Sequence, residues 1–146
     1  MAEIKTLHNY LVEIQKELKA PKNQRNTFAN FNYRSCEDIL EAVKPLLHER
    51  KMIVTISDDV VSVGNYNYVK ATATVTNGSE FYSVNAFARE ADVKKGMDAS
   101  QITGSTSSYA RKYALNGLFA IDDTKDADTK ENSDTQDKPK AQTFNY

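Results

Sequence analysis

At 146 residues, 40% of them hydrophobic and 27% charged, the chain holds one domain's worth of sequence with apolar content for a single core. Its net charge of −1 hides an asymmetry, 15 cationic against 13 anionic side chains up to Ala120 and 4 against 7 beyond it, so any contact with a polyanion must come from local clustering of cations. The single cysteine, Cys36, excludes an intramolecular disulfide and a multi-cysteine zinc site, and the lack of a secretory leader or an apolar run of roughly 18 to 20 residues predicts a cytoplasmic protein away from membranes.

Leu7, Tyr10, Leu11, Ile14 and Leu18 recur at three- and four-residue steps behind Thr6, which predicts an amphipathic, Thr-capped helix over residues 6–19. Pro21 closes it. The polar, Asn-rich stretch from Ala20 to Arg34 reads as an irregular loop carrying Phe28, Phe31 and Tyr33 among Lys22, Arg25 and Arg34. Ser35 with Asp38 resembles a capping box, and Ile39, Leu40, Val43, Leu46 and Leu47 mark a second helix that Pro45 should kink or shorten. Met52 to Ile56 and Val60 to Val63 are rich in β-branched residues and fit two short strands or one bent one.

Asn77-Gly78 is the dipeptide a two-residue type I′ hairpin prefers. With Thr76 facing Ser79, Val75 lies opposite Glu80, Ala73 opposite Tyr82, Ala71 opposite Val84 and Val69 opposite Ala86, a mostly apolar face. The other face pairs Thr74 with Phe81, Thr72 with Ser83, Lys70 with Asn85, Tyr68 with Phe87 and Tyr66 with Arg89. A slip of one residue would mix the two sets, so their segregation supports the pairing. Residues 91–96 form a charged connection, and Ser100 to Ala120 reads as a helix whose start is weakened by Gly104 and the Ser-Thr-Ser-Ser run. Beyond Ile121 almost nothing can be buried, which predicts a disordered acidic tail.

None of the five glycines sits in a phosphate-cradling loop followed by Lys and Ser or Thr, so nucleotide hydrolysis is not expected. His8 and His48 lie 40 residues apart and offer no metal pair. The aspartates 122, 123, 126 and 128 fail the calcium-loop pattern and read first as a solvated acidic segment, with a metal-dependent nuclease as a lesser alternative. No cofactor or metal is expected. A single-strand binder needs cations along the phosphates and rings on which bases stack. The polar hairpin face supplies both in Tyr66, Tyr68, Lys70, Phe87 and Arg89, and Lys94, Lys95, Arg111 and Lys112 extend the positive charge. The competing reading packs Phe81 and Phe87 under a helix, with Lys70 and Arg89 snorkelling at its rim.

The segment GMDASQITGSTSSYARKYALNGLFAIDDTKDAD, residues 96–128, resembles the signature of the Erf family, phage-encoded annealing proteins of homologous recombination. The resemblance extends more weakly through YRSCEDILEAVKPLL, residues 33–47, and the hairpin, covering most of residues 5–128. It implies a non-enzymatic, ATP-independent protein that binds single-stranded DNA, pairs complementary strands and assembles as a homo-oligomeric ring or filament in the cytoplasm of a bacterial host. The fold it implies is α+β, an antiparallel three- to four-stranded sheet in a β-β-β-α core similar to the eukaryotic annealing mediators, behind N-terminal helices. On this reading residues 1–124 form the annealing domain and 125–146 an acidic tail. The tail from Thr129 is outside the resemblance and reads first as a solubilising segment, with docking of a partner such as the host single-strand binding protein through Phe144-Asn145-Tyr146, or competition with DNA for the basic groove, as alternatives. Tyr109, Arg111, Lys112 and Tyr113 fall in the motif helix. The alternative is a recombination-associated interaction module without direct DNA binding.

Overall fold

The computed structural model describes residues 5–93 and 95–121; Lys94, the aspartates from Asp122 to Asp128 and the expected tail over 125–146 lie outside the described residues. Helix α1 spans Leu7–Glu17, and Thr6 caps it as expected: its hydroxyl accepts from the Asn9 backbone while the Asn9 carboxamide accepts from Thr6 N–H. Leu7, Leu11 and Ile14 are its buried stripe.

The stretch expected as an irregular loop is instead partly ordered as a hairpin, β1 (Gln24–Asn26) with β2 (Phe31–Tyr33). Its turn is held by Asn26, whose side chain accepts from Ala29 N–H at 2.9 Å, and by Asn30, whose N–H donates to Asn26 O at 2.7 Å. Asn30 takes a φ of 62°, a conformation asparagine tolerates better than most residues. Helix α2 spans Cys36–Glu49 with the Ser35–Asp38 capping box in place, and Pro45 sits inside it without ending it.

Three long strands follow: β3 (Ile53–Val63), β4 (Tyr66–Thr76) and β5 (Phe81–Arg89), in sheet order β3-β4-β5, all antiparallel. The two β-branched runs are therefore one continuous strand. The tight two-residue turn is Gly64-Asn65, closed by the Val63–Tyr66 pair, with Gly64 at φ +59°. Asn77-Gly78 does not form the expected type I′ turn. Only Gly78 has positive φ there, and a four-residue loop over 77–80 is tied by the Asn77 side chain, which accepts from Ser79 and Glu80 N–H at 3.0 and 2.8 Å. The β4–β5 register is accordingly two residues from the expected one, with Val75 opposite Tyr82 and Tyr68 opposite Arg89. Because side chains alternate with period two, both faces keep their expected members.

Helix α3 (Ala99–Phe119) lies across one face of the sheet. Asp98 caps it in a reciprocal box with Gln101, which gives the Ser/Thr-rich start the support its propensity lacks. Ala110 and Ala114 are wholly buried, as are Ala71, Ala73 and Val75 of β4. A Cβ placed on Gly117 would meet Val84 Cγ1 at 3.0 Å, so glycine there permits the close approach of α3 to β5. Helices α1 and α2 pack on α3 and on each other, joined by Gln15 Nε2 donating to Leu118 O at 3.0 Å and by the nearly buried Arg50, which reaches Glu13 and Glu17. The α+β class and the β-β-β-α order expected from sequence are what the structure shows. No helix among the described residues is long and apolar enough to cross a membrane.

This packing can be tested through stability in two ways. Gly117→Leu should destabilise the fold by about 1–3 kcal/mol through overpacking against Val84, read by urea unfolding. Glu13 is held below its ordinary 4.5 by hydrogen bonds from Lys5 and Arg50. A depressed carboxyl stabilises the fold above its unfolded value and loses that contribution as pH falls through its folded one. The Tm gap between wild type and Glu13→Gln should therefore be present at neutral pH and close as pH falls below about 4.5.

Candidate nucleic-acid interface

The β4 residues that alternate with the sealed ones, Tyr66, Tyr68, Lys70, Thr72, Thr74 and Thr76, point away from α3, together with Phe81, Ser83, Asn85, Phe87 and Arg89 of β5. No helix among the described residues covers this face. Phe81 is 71% exposed and Phe87 51%, so neither packs under a helix, and the competing reading of this face fails. The five residues expected to cluster here do so, with partners set by the true register: Lys70 opposite Phe87, Tyr68 opposite Arg89. The Arg89 guanidinium carbon stands 3.8 Å from the Tyr66 ring centroid, a cation–π contact that holds both groups at the same end of the face. Thr72 and Asn85, and Thr74 and Ser83, hydrogen-bond across the middle at 2.8 and 2.7 Å. On the same face Asp59 of β3 stands opposite Lys70 and Phe81 lies at the far end beside Thr76, so the surface is rings, two cations and a carboxylate toward one end, and hydroxyls, a carboxamide and one further ring beyond.

The motif residues on α3 lie in the other layer and point three ways. Arg111 turns toward β3, where its Nε and a terminal nitrogen grip the Asp58 carboxylate at 3.1 and 3.2 Å, with Ser107 Oγ on the same carboxylate at 2.5 Å. Lys112 is only 7% exposed and lies about 6 Å from the Tyr33 and Tyr113 rings. Tyr109 and Tyr113 stack one turn apart at 6.4 Å and are half exposed. Lys95 is exposed in the turn before α3.

Lys112, Tyr109 and Tyr113 line a cleft of about 410 Å³ with Tyr33, Arg34, Ser105 and Ser108. A second cleft shares Ser105 and both tyrosines and runs on to Ala88 and Arg89, so the two ring clusters border one another around the end of β5. Tyr33 and Arg34 were missed as site residues because their segment reads as loop; the hairpin β1–β2 and the start of α2 are what bring them to Lys112. Cys36 lines the same cleft, and burial, with Glu37 adding to it, pushes its thiol up and so disfavours the thiolate. Among the described residues no group of three His, Cys, Asp or Glu side chains could hold a metal ion.

Three antiparallel strands backed by one long helix, with rings and cations on the uncovered side, define a two-layer α+β protein whose free surface suits an extended polyanion with stacking groups. The chain belongs to the ERF superfamily, whose model matches residues 7–145. It is 59% identical over 132 residues to the Essential recombination function protein of Salmonella phage P22, an alignment that takes in 90% of this chain and 63% of that relative. The chain thus matches less than two thirds of the relative's length. No solved structure matches it significantly.

The Arg111–Asp58 pair is 40% and 27% exposed at its side chains, so screening should hold its coupling energy below about 1 kcal/mol in a double-mutant cycle with Asp58→Asn and Arg111→Met. A larger value would make the pair a structural clamp.

Proposed function

We propose that this protein binds single-stranded DNA without sequence preference and anneals complementary strands in phage homologous recombination, as an assembly of copies and without enzymatic chemistry. The observation that carries the reading is the uncovered sheet face on which Tyr66, Tyr68, Lys70, Phe87 and Arg89 stand together. Membership of the ERF superfamily and the name of the phage relative agree with it. Rings grip bases by their faces whatever the sequence, and cations track the phosphates. Neither contact uses the hydrogen-bonding edges of the bases, which stay free to test a complement. Pairing needs no fuel, since duplex formation is downhill once neighbouring bases are held at high effective concentration.

The cleft with Lys112 and Tyr33 offers a second patch of the same chemistry on the α3 side. Arg111, already engaged by Asp58, contributes less than Arg89 on this reading.

Fluorescence titration of a labelled oligonucleotide at several salt concentrations tests the proposal. Lys70→Ala with Arg89→Ala should lower the slope of log K against log salt by about 0.7 for each phosphate that the variant no longer neutralises. Phe87→Ala should weaken binding by about 1–3 kcal/mol with the fold retained. Unchanged affinity and slope in these variants, alongside weakened binding in Lys112→Ala, would move the interface to the cleft. Wild-type protein that leaves strand hybridisation no faster than unaided would end the annealing reading altogether.

A further inference from the structure

Strands β3 and β5 are each hydrogen-bonded along one side only, to β4, and among the described residues no strand lies along either outer edge. The phase of the ladder fixes what those edges present. Glu90 N–H donates to Asn67 O and Asn77 N–H to Glu80 O, so odd-numbered β4 residues bond even-numbered β5 residues, and strict alternation hands the even-numbered β4 groups to β3. The free N–H and C=O groups at the β5 edge therefore belong to Phe81, Ser83, Asn85, Phe87 and Arg89. Those at the β3 edge belong to Val54, Ile56, Asp58, Val60 and Ser62.

On β5 these residues carry their side chains on the uncovered face; on β3 they carry them on the α3 face. A parallel junction needs that opposition of phase, because in a parallel pair each residue bonds the two neighbours of the residue beside it. The β5 edge of one copy can thus receive the β3 edge of another with neither sheet turned over. An antiparallel β5–β3 junction would throw the two α3 helices onto opposite faces. An antiparallel β3–β3 junction centred on the strand would set Asp58 opposite its own copy with the two Asp59 carboxylates close by, like charge against like.

The side chains agree with the backbone. Six of the exposed large apolar residues sit on these two strands: Ile53, Val60 and Val63 at 59, 67 and 58%, Phe81, Tyr82 and Phe87 at 71, 50 and 51%. Long apolar edges of this kind are templates for pairing with another chain. Carrying the ladder levels across the junction sets Phe81 beside Ile53, Phe87 beside Asp59 and Arg89 beside Val61.

We propose that the chain assembles head to tail, the β5 edge of one copy taking the β3 edge of a second copy into one continuous sheet. This supplies the contact for the assembly of copies proposed above and rests on that part of the reading alone, not on DNA binding. A head-to-tail contact closes into a ring or runs on as a filament. The ring-and-cation clusters then recur on one side every three strand spacings, about 14 Å.

The test needs no DNA, so its outcome is separate from that of strand binding. Ser83→Pro removes an edge-facing N–H and leaves every backbone bond to β4 in place, giving up only the hydroxyl contact with Thr74. Light scattering at tens of micromolar should show wild type larger than a monomer and the variant shifted to monomer with its circular dichroism kept. Independently, Ile53→Cys with Phe81→Cys in a Cys36→Ala background should give a ladder of disulfide-linked multimers on oxidation. Within one copy these positions are two strand spacings apart, about 9.6 Å, beyond the roughly 7 Å limit of a disulfide, so every bridge joins two copies. Each single-cysteine variant should stay largely unlinked. A monomeric wild type, a folded Ser83→Pro as large as wild type, or dimers from either single cysteine with no ladder from the pair would overturn the proposal. If Ser83→Pro fails to fold, absence of the ladder with both thiols titratable does so alone.

Discussion

The burial of Val69, Ala71, Ala73 and Val75 beneath α3 is the contact on which the rest of the molecule depends, because β4 is the one strand of its sheet with neighbours on both sides. Each valine sealed there is worth about 1.5–3 kcal/mol. The alanines contribute less by area but set the distance: Ala71 and Ala73 on the strand, with Ala110, Ala114 and Gly117 on the helix, leave only small groups between the two backbones. Once that face is sealed, period-two alternation decides the other. Tyr68, Lys70, Thr72 and Thr74 must point away from the helix, and so must their partners on β5. The uncovered surface is thus a consequence of where the core is, not a separate construction.

The same helix explains how neighbouring motif residues come to have different surroundings. Successive positions on an α-helix turn by about 100°, and α3 is bounded by the sheet on one side, by α1 and α2 on another, and by the β3 edge on a third. Ala110 faces the strands, Arg111 the carboxylate of Asp58, and Lys112 the cleft under Tyr33. One short run of sequence therefore serves packing, an ion pair and a ring-lined hollow. A cation already committed to a carboxylate has less to offer a phosphate than Arg89, which lies against the face of Tyr66.

Face membership was legible in the sequence because it depends only on parity, and parity survives a slip of two. Register was not, because the apolar pattern of β4 and β5 is equally satisfied by either pairing. The loop decided between them: the Asn77 side chain bonds two backbone N–H groups and so stabilises four residues where the Asn-Gly pair alone suggests two. The β1–β2 hairpin was hidden for a different reason. Strands of three residues are too short to show alternation, and what holds them is the side-chain chemistry of Asn26 and Asn30 in the turn. The start of α3 was legible in principle, since Asp98 and Gln101 have capping-box spacing, but the Ser/Thr run behind them obscures it by propensity. Arg34 could not be placed from sequence at all, because its position at the cleft depends on an Nε hydrogen bond to Ala20 O, across a segment with no periodic signal.

An antiparallel sheet with one bare face is common, and bareness alone implies nothing. What distinguishes this one is that rings and cations gather at one end of the bare face while, among the described residues, both sheet edges remain unpaired. A polymer that runs past one small domain can be held only weakly by it, since a few rings and two cations supply a few kilocalories against the entropy of ordering a flexible strand. Recurrence of the same patch, in the same orientation, changes that balance without altering any single contact. Orientation is the demanding part. Copies joined with their sheets turned over would present rings and α3 alternately, and a strand could not follow them. The hydrogen-bond phase that seals β4 under α3 also sets the phase of the two open edges, and that phase admits a junction in which every bare face looks the same way. In this fold, the parity that buries the core is thus the parity that the proposed assembly needs.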